Sequence, residues 1–370
     1  MPWGRRLGGA EEMLQIALDG AAVAGHELEL VFFEPGPWPD ELLDAGFHVE
    51  VIPAGRLREL HRVLATVVRL AKVLHARQPD LILNWMTKTH LYGSPAATLA
   101  GMSDRVLWWQ HGIPGGDWVD RCARRLPAIA IGCTSSAVAS AQERLRPRRP
   151  TFVVAAGARV PAPGRARPAL TLPSGVPVIG IVGRLQPWKG QDRLLRAHTL
   201  LRERGHALHT LIVGGDAYGL SSEYADSLPA LVERLGLGGA VTMTGQVEDA
   251  GPYIERMDIL VNASDPEPFG IVLLEGMARD VAVVAVDSGG PRELIEDGRT
   301  GVLARSGEPS ALADALEPLL VSPTLRQAIA QAGRERFTRD FTPAAMCRRL
   351  FDQLERLSDT SSPSAGDPRS

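Results

Sequence analysis

The sequence predicts an α/β protein of two domains, each a parallel sheet flanked by helices. Three observations carry this. Short apolar runs alternate with helix-length segments along most of the chain, the signature of βα units. The units fall into two series separated by a stretch rich in proline and glycine. The 370 residues exceed one ordinary core and suit two domains of about 100 to 200 residues each.

The first series has strand-like runs at ELELVFF (27–33), DLILNW (80–85), RVLWWQ (105–110), AIAIGC (128–133) and TFVVAA (151–156). Helix patterns lie near 10–24, 57–77, 90–100 and 135–145. The second series has VPVIGIVG (176–183), LHTLIVGG (208–215), AVTMTG (240–245), DILVNAS (258–264) and VAVVAV (281–286), again with helices between. The chain after Thr300 reads as helical, with candidates near 308–320, 323–337 and 343–357. The expected organisation is a Rossmann-like domain over 1–162, a linker over 163–175 and a second Rossmann-like domain over 176–342. A helix over 343–357 is expected to pack back on the first domain, and a disordered tail to follow over 358–370. The two halves are expected to face each other across a cleft. Ligands of such sheets bind beyond the carboxyl ends of the strands.

The N-terminus breaks the pattern. A Rossmann half opens with an apolar strand that ends in a glycine turn, yet Met1 to Arg6 reads as loop before Leu7-Gly8-Gly9. The first strand of the N-terminal domain is therefore expected to be missing, through a start assigned downstream of it or a truncation. Such a strand is normally central and buried on both faces.

Composition narrows the function classes. The net charge of −3 divides into 19 Lys+Arg against 16 Asp+Glu over 1–165 and 21 against 27 beyond, too even a balance for nucleic acid. Cys122, Cys133 and Cys347 are scattered without metal-ligand spacing, which argues for a reducing compartment and a cytoplasmic protein. No run approaches the length of a spanning helix. The segment 56–77 holds six Lys+Arg and one acid, Glu59. It reads either as a peripheral contact with an anionic inner membrane surface or as a solvated basic face over a core-facing stripe of Leu60, Leu64, Val67, Ala71 and Leu74.

The densest chemistry lies in DPEPFGIVLLEGMA (265–278). Pro266 and Pro268 hold Glu267 in a loop, the chain turns at Gly270, and Glu275 falls on a largely apolar helix face. The open amides of such a helix start suit an anion, and the carboxylates suit hydroxyl or cationic partners. The plainer alternative is a helix cap and one solvated glutamate. At the end of the first strand of the second series, GIVGRLQPWKG (180–190) puts Arg184 and Lys189 in one loop, either as a clamp for a diphosphate or as cations paired with nearby acids. A Walker loop is absent. His111 follows a strand in WWQHGIPGG, at a functional position or as a structural imidazole.

Together these segments resemble the retaining glycosyltransferases of family 4, with the GT-B architecture. The resemblance runs through GGAEEM, AGHELELV, GRLQPWKG, LIVGGD, TGQV, DPEPFGIVLLEGMA and SGGPRELIEDGRTGVL, and the E-x7-E pair Glu267 and Glu275 is the family's hallmark. It implies that Arg184 and Lys189 bind the donor diphosphate, that Glu275 holds the ribose, and that Glu267 holds the donor sugar with the amides of Phe269, Gly270 and Ile271. It further implies that Gln246 and Val247 meet the nucleobase, that Gly8 and Gly9 let backbone approach the phosphates, and that His111 stands near the anomeric carbon. Trp85, Lys88, His90, Asp117 and Trp118 lie on neighbouring loops and are candidates to line an acceptor pocket, with core packing as the alternative for the tryptophans.

The implied reaction is transfer of a sugar from a nucleotide diphosphate sugar, UDP- or GDP-linked, to an acceptor hydroxyl with the anomeric configuration retained. The acceptor would be a lipid-linked glycan, a small metabolite or a natural-product aglycone. No D-x-D sequence occurs, so neither a metal nor another cofactor is expected and the nucleotide sugar serves as co-substrate. A sugar-nucleotide epimerase or hydrolase, or a non-catalytic sugar-nucleotide binder, is the alternative on the same fold.

Overall fold

The structure is a computed structural model that describes residues 1–361 apart from 7, 56, 160–169, 217, 218 and 220. It divides into two compact units, Met1–Ala156 with the segment from Pro343 onward, and Gly157–Thr342.

The first unit runs α1 (Gly9–Ala24), β1 (Glu29–Phe32), α2 (Pro37–Asp44), β2 (His48–Val51), α3 (Leu60–Arg77), β3 (Ile82–Asn84), α4 (Thr87–Leu99), β4 (Val106–Gln110), α5 (Trp118–Ala123), β5 (Ala130–Cys133), α6 (Ser136–Arg144) and β6 (Thr151–Val153). All pairing is parallel, but the strands form two sheets, β1-β2 and β3-β4-β5-β6. No strand among the described residues joins them. Beside β1 stands the main chain of Met1, whose carbonyl accepts from the Phe33 amide at 2.8 Å and whose amino group donates to the Val31 carbonyl. Strands β4 and β5 are buried along their whole length, as parallel strands covered on both faces are. Their side chains Trp108, Ile131 and Cys133 form one core with Val67, Leu70 and Leu74 of α3 and Tyr92 of α4.

Three elements here were not expected from sequence. Strand β2 (HVEV) alternates exposed and half-buried residues and is only 4 residues long, so no apolar run announces it. Helix α2 opens at Pro37, and proline, which reads as loop within PGPWP, is also well suited to a helix's first turn because no amide is needed there. Helix α5 has only 6 residues.

The second unit runs β7 (Val178–Val182), α7 (Gln191–Glu203), β8 (His209–Val213), α8 (Ser222–Arg234), β9 (Val241–Met243), α9 (Gly251–Ile254), β10 (Ile259–Asn262), α10 (Ile271–Met277), β11 (Ala282–Val286), α11 (Pro291–Leu294), β12 (Val302–Ala304), α12 (Pro309–Val321) and α13 (Pro323–Asp340). One parallel sheet results, in the order β12-β11-β10-β7-β8-β9. The chain after Thr300 is thus not wholly helical, since β12 adds an edge strand. The core joins Ile179, Ile212, Val261 and Val284 of the sheet to Leu194, Leu201, Leu312 and Leu316 of α7 and α12. The order reverses between β7 and β10. One strand is followed by a connection toward β8, the other by one toward β11, so their carboxyl-end loops part and leave a crevice.

The last helix, α14 (Pro343–Ser361), belongs to the first unit. Residues 358–361 are helical rather than disordered, and the remainder of the expected tail lies outside the described residues, as does most of the expected linker. Helix α14 rests on α1. Cys347 donates through Sγ to the Ile16 carbonyl at 3.4 Å, and the rings of Phe351 and His26 lie 4.9 Å apart. The contact is close because Gly20 has no side chain, and a Cβ there would stand 2.4 Å from Cys347 Sγ. Gly20→Ala is expected to cost about 1–3 kcal/mol in urea unfolding through this overlap. The loss should shrink in a Cys347→Ala background, and equal losses in both backgrounds would mean that the contact is not the cause.

Candidate active site

The loops at the carboxyl ends of the second unit's strands hold Arg184 and Lys189 after β7, Gln246 and Val247 after β9, and Glu267, Phe269 and Gly270 after β10. Each is built by close backbone approach. Gly190, at φ +77°, ends the β7 loop where a Cβ would lie 2.5 Å from the Ala263 carbonyl oxygen. The Asp265 amide donates to the Trp188 carbonyl at 3.1 Å, which ties the β7 loop to the β10 loop. On the other side, the Gly290 amide donates to the Glu267 carbonyl at 2.9 Å. A Cβ on Gly289, at φ +80°, would stand 2.1 Å from that same oxygen. The glycines of SGGPREL therefore clear room for the main chain at Glu267.

At the crevice between β7 and β10, Lys189 Nζ donates to Glu267 Oε2 at 2.9 Å, with side chains 18% and 8% exposed. Asn262, the last residue of β10, donates through Nδ2 to the same oxygen at 3.1 Å. The Asn262 side-chain oxygen accepts from the Ser264 amide, which fixes its orientation. Desolvation acts most strongly on Glu267 and pushes its pKa up. The Lys189 ammonium and hydrogen bonds from Lys189, Ser264 and Asn262 together outweigh it and hold the carboxyl below its ordinary 4.5. Lys189 also lies 4.1 Å from the centre of the Trp188 ring.

Arg184 is half-buried, and its carbonyl accepts from Gln191 Nε2 at 3.0 Å. Gln246 is exposed and Val247 half-buried, and Gly215 packs against Gln246 so closely that a Cβ would lie 3.0 Å from its amide nitrogen. Glu275 is half-buried on α10, where its carbonyl accepts from Arg279. Helix α10 has 7 residues, starting after Gly270 at φ +103°. The amides of Phe269, Gly270 and Ile271 stand at its open first turn, which has no internal partner for them. So short a helix gives little dipole, and the positive charge at this edge comes from Arg184 and Lys189.

In the first unit, His111 follows β4. Thr87 donates to Gln110 Oε1 at 2.7 Å, and Gln110 Nε2 donates to the Gly112 carbonyl at 2.9 Å, which braces the loop on both sides of the imidazole. The ring is 5.0 Å from that of Trp85. Burial lowers its pKa to about 3, opposed by a hydrogen bond with the Trp85 backbone, and its Nε2 is buried without a protein partner. His111 is therefore neutral at ordinary pH. Gly8 lies in a bend and Gly9 begins α1.

Burial speaks against two of the acceptor-side candidates, Trp85 and His90. Trp85 is a core residue rather than a pocket wall, with its Nε1 bonded to the Ala10 carbonyl at 2.8 Å and its ring stacked on Trp109. His90 is fully buried in α4, stacked on Trp108 with ring centres 4.8 Å apart. Asp117 caps α5 by accepting from the Asp120 amide. Lys88 pairs with Glu34 at 3.6 Å and lies over the Trp3 ring, while Trp118 is exposed. Asn262 and Ser264 were overlooked in the sequence. A polar residue ending a buried apolar strand was the available signal, since burial there demands a partner.

The glycosyl transferases group 1 family model matches residues 164–336. Over 348 residues the chain is 27% identical to the lipopolysaccharide core biosynthesis glycosyltransferase LpsE of Rhizobium meliloti, covering 92% of this chain and 93% of that one. Over 159 residues it is 39% identical to a D-inositol 3-phosphate glycosyltransferase of Nocardia farcinica, covering 42% of this chain and 35% of that one. Among solved structures, HepE of Anabaena in complex with UDP and glucose superposes with a TM-score of 0.79 at 23% identity, covering 96% of this chain and 98% of that one. Sucrose-phosphate synthase of Thermosynechococcus elongatus gives a TM-score of 0.78 at 23% identity, covering 96% and 94%. Residues 164–336 are a glycosyl transferases group 1 domain, and the chain has the two-domain α/β fold of GT-B type. The expected enzyme class is that of the named relatives.

Lys189→Met is expected to lower stability by about 3 kcal/mol or more at neutral pH, because it strands a buried carboxylate. Glu267 titrates below 4.5 in the folded protein, so its contribution is full above that value and fades as pH falls through the folded pKa. The variant, with Glu267 raised instead, recovers stability as the carboxyl takes a proton. Urea unfolding should therefore show the gap narrowing from about pH 7 to about pH 4. A gap constant across that range would mean that Glu267 is not the stranded charge.

Proposed function

We propose that the protein is a retaining glycosyltransferase that moves a sugar from a UDP- or GDP-sugar to an acceptor hydroxyl without a metal. The observation that carries this reading is the Lys189–Glu267–Asn262 cluster at the point where the sheet order reverses. It sets a fixed cation and a fixed carboxylate side by side, which suits a ligand carrying both phosphate and hydroxyl groups. A structure with UDP and glucose bound has the same fold.

In this reading Arg184 and Lys189 meet the diphosphate. Lys189 gives one of its three N–H groups to Glu267, which leaves two for phosphate oxygens. The remaining lone pairs of Glu267 accept from the sugar hydroxyls, Glu275 accepts from the ribose, and the backbone at Gln246 and Val247 meets the base. His111 is neutral, with its Nε2 buried and without a protein partner. The acceptor oxygen bonds to the anomeric carbon on the face from which the diphosphate departs, and the acceptor's proton passes to the departing phosphate oxygen. Charge growing on that phosphate is met by cations already in place, which supplies the electrostatic part of the catalysis. The likeness to LpsE over most of the chain favours a lipid-linked glycan as acceptor.

A panel of nucleotide sugars tests this by thermal shift and turnover. The cognate donor at 100 times its dissociation constant adds about 2.7 kcal/mol of stability. Turnover is expected to persist in EDTA and to give product of retained configuration by NMR. Arg184→Ala should lower kcat/KM by about 10²-fold or more and weaken UDP itself. Glu267→Gln, which keeps a polar group in the buried site, should spare the UDP shift and lose sugar discrimination. Inverted product, a metal requirement, or equal and small effects from both variants would overturn the proposal. Rapid donor conversion without acceptor would replace it with an epimerase or hydrolase.

A further inference from the structure

Helix α3 carries two apolar stripes, and the core accounts for only one. Val67, Leu70 and Leu74 are buried in the first unit's core. Leu60, Leu64 and Val68 recur every four residues on an adjacent side, about a quarter turn around the helix, and are 70%, 65% and 47% exposed. Four-residue spacing puts them on one face as a continuous aliphatic ridge. Three large apolar side chains along one solvent-facing ridge differ from the scattered exposed apolar residues of an ordinary surface.

The flank of this ridge is basic. Exposed His61, Arg62, Arg69 and Lys72 share the outer surface, and no Asp or Glu occurs between residues 60 and 77. Arg62 pairs with Glu59, the N-cap residue of α3, and Arg77 with Glu29 of β1, each at 3.4 Å. The expectation that Leu60 and Leu64 face the core is therefore wrong. They border the buried stripe on its solvent side, next to the cations.

We propose that the outer face of α3 docks on an anionic lipid bilayer, with Leu60, Leu64 and Val68 entering the headgroup region and Arg69 and Lys72 resting on lipid phosphates. Charge complementarity selects this occupant. A symmetric contact between two copies would set the same cations against each other. A nucleic acid would satisfy the cations but leave the aliphatic ridge without purpose, since its outer surface is phosphate. An interfacial helix needs the two features together, aliphatic side chains to bury and cations beside them to meet acidic headgroups. No helix among the described residues is long and apolar enough to cross a membrane, so the contact is one of lying on the surface. The proposal does not depend on the donor chemistry of the second unit.

Co-sedimentation of the full chain with vesicles tests it, comparing phosphatidylcholine alone with phosphatidylcholine containing about a third phosphatidylglycerol. Binding to the anionic vesicles is expected to be at least about tenfold tighter and to weaken as salt rises from about 0.1 M to about 1 M. Leu60→Ser/Leu64→Ser/Val68→Ser and, separately, Arg69→Glu/Lys72→Glu should each weaken it about tenfold or more. All five positions are exposed, so both variants should melt as the parent does, and the melting curve separates lost docking from lost folding. Absence of binding to anionic vesicles, equal binding to neutral ones, or full binding by the triple serine variant would overturn the proposal. So would concentration-dependent dimerisation abolished by that variant, which would assign the ridge to a second copy.

Discussion

The candidate site depends on one ion pair, Lys189 with Glu267, held in a place where neither charge is well solvated. Removing a carboxylate from water costs several kcal/mol unless attraction and hydrogen bonds replace what water supplied. Lys189 supplies the attraction, and Asn262 and Ser264 the bonds. A hydrophobic pair of similar volume would stabilise the fold as well or better. An arrangement that spends stability on a fixed positive and a fixed negative group at a sheet's carboxyl edge is better suited to binding than to packing.

The sheet makes that arrangement precise. Lys189 and Glu267 lie 78 residues apart in the chain and meet because β7 and β10 are neighbours in register, Ile259 beside Ile179 and Leu260 beside Gly180. Both strands are buried along nearly their whole length, so a register slip would turn core side chains to the wrong face. Register then fixes where each loop begins. The loops are held in turn by main-chain contacts that only glycine permits, at Gly190 against Ala263 and at Gly289 against Glu267. Gly214 adds a third, where a Cβ would lie 2.0 Å from the Gly183 carbonyl oxygen and force the β7 and β8 loops apart. Positioning of the charged pair is therefore mostly a property of backbone.

Much of this was legible in the sequence, and the limits have physical causes. The βα alternation, five of the second unit's six strands and the Glu267 and Glu275 spacing are local patterns, read within about 20 residues. The pairing of Lys189 with Glu267 is not local, which is why the sequence assigns them separate tasks on diphosphate and sugar. Asn262 was hidden because a single polar residue at a strand end looks like the start of a loop. Trp85 and His90 were misplaced because adjacency to a strand's end does not say which way a side chain turns. Trp85 turns inward to Trp109, and His90 sits one turn into a helix. The same limit applies to α3, whose apolar residues read as one stripe until burial separates Leu64 from Val67.

The two perturbed histidines of the first unit show why a shifted pKa does not identify a functional group. Burial lowers both His90 and His111 to about 3, and both have a buried Nε2 without a protein partner. Their surroundings differ. His90 lies flat on Trp108, with an interplanar angle of 2° and Asn84 at its Nδ1, and no part of it is exposed. His111 is half-buried at the end of β4, its ring tilted 55° from Trp85 and its loop braced by Gln110. Nε2 is enclosed in both rings, and only the His111 residue reaches the surface in part. Neutrality makes each imidazole an acceptor at one nitrogen, and access decides which acceptor a substrate can use.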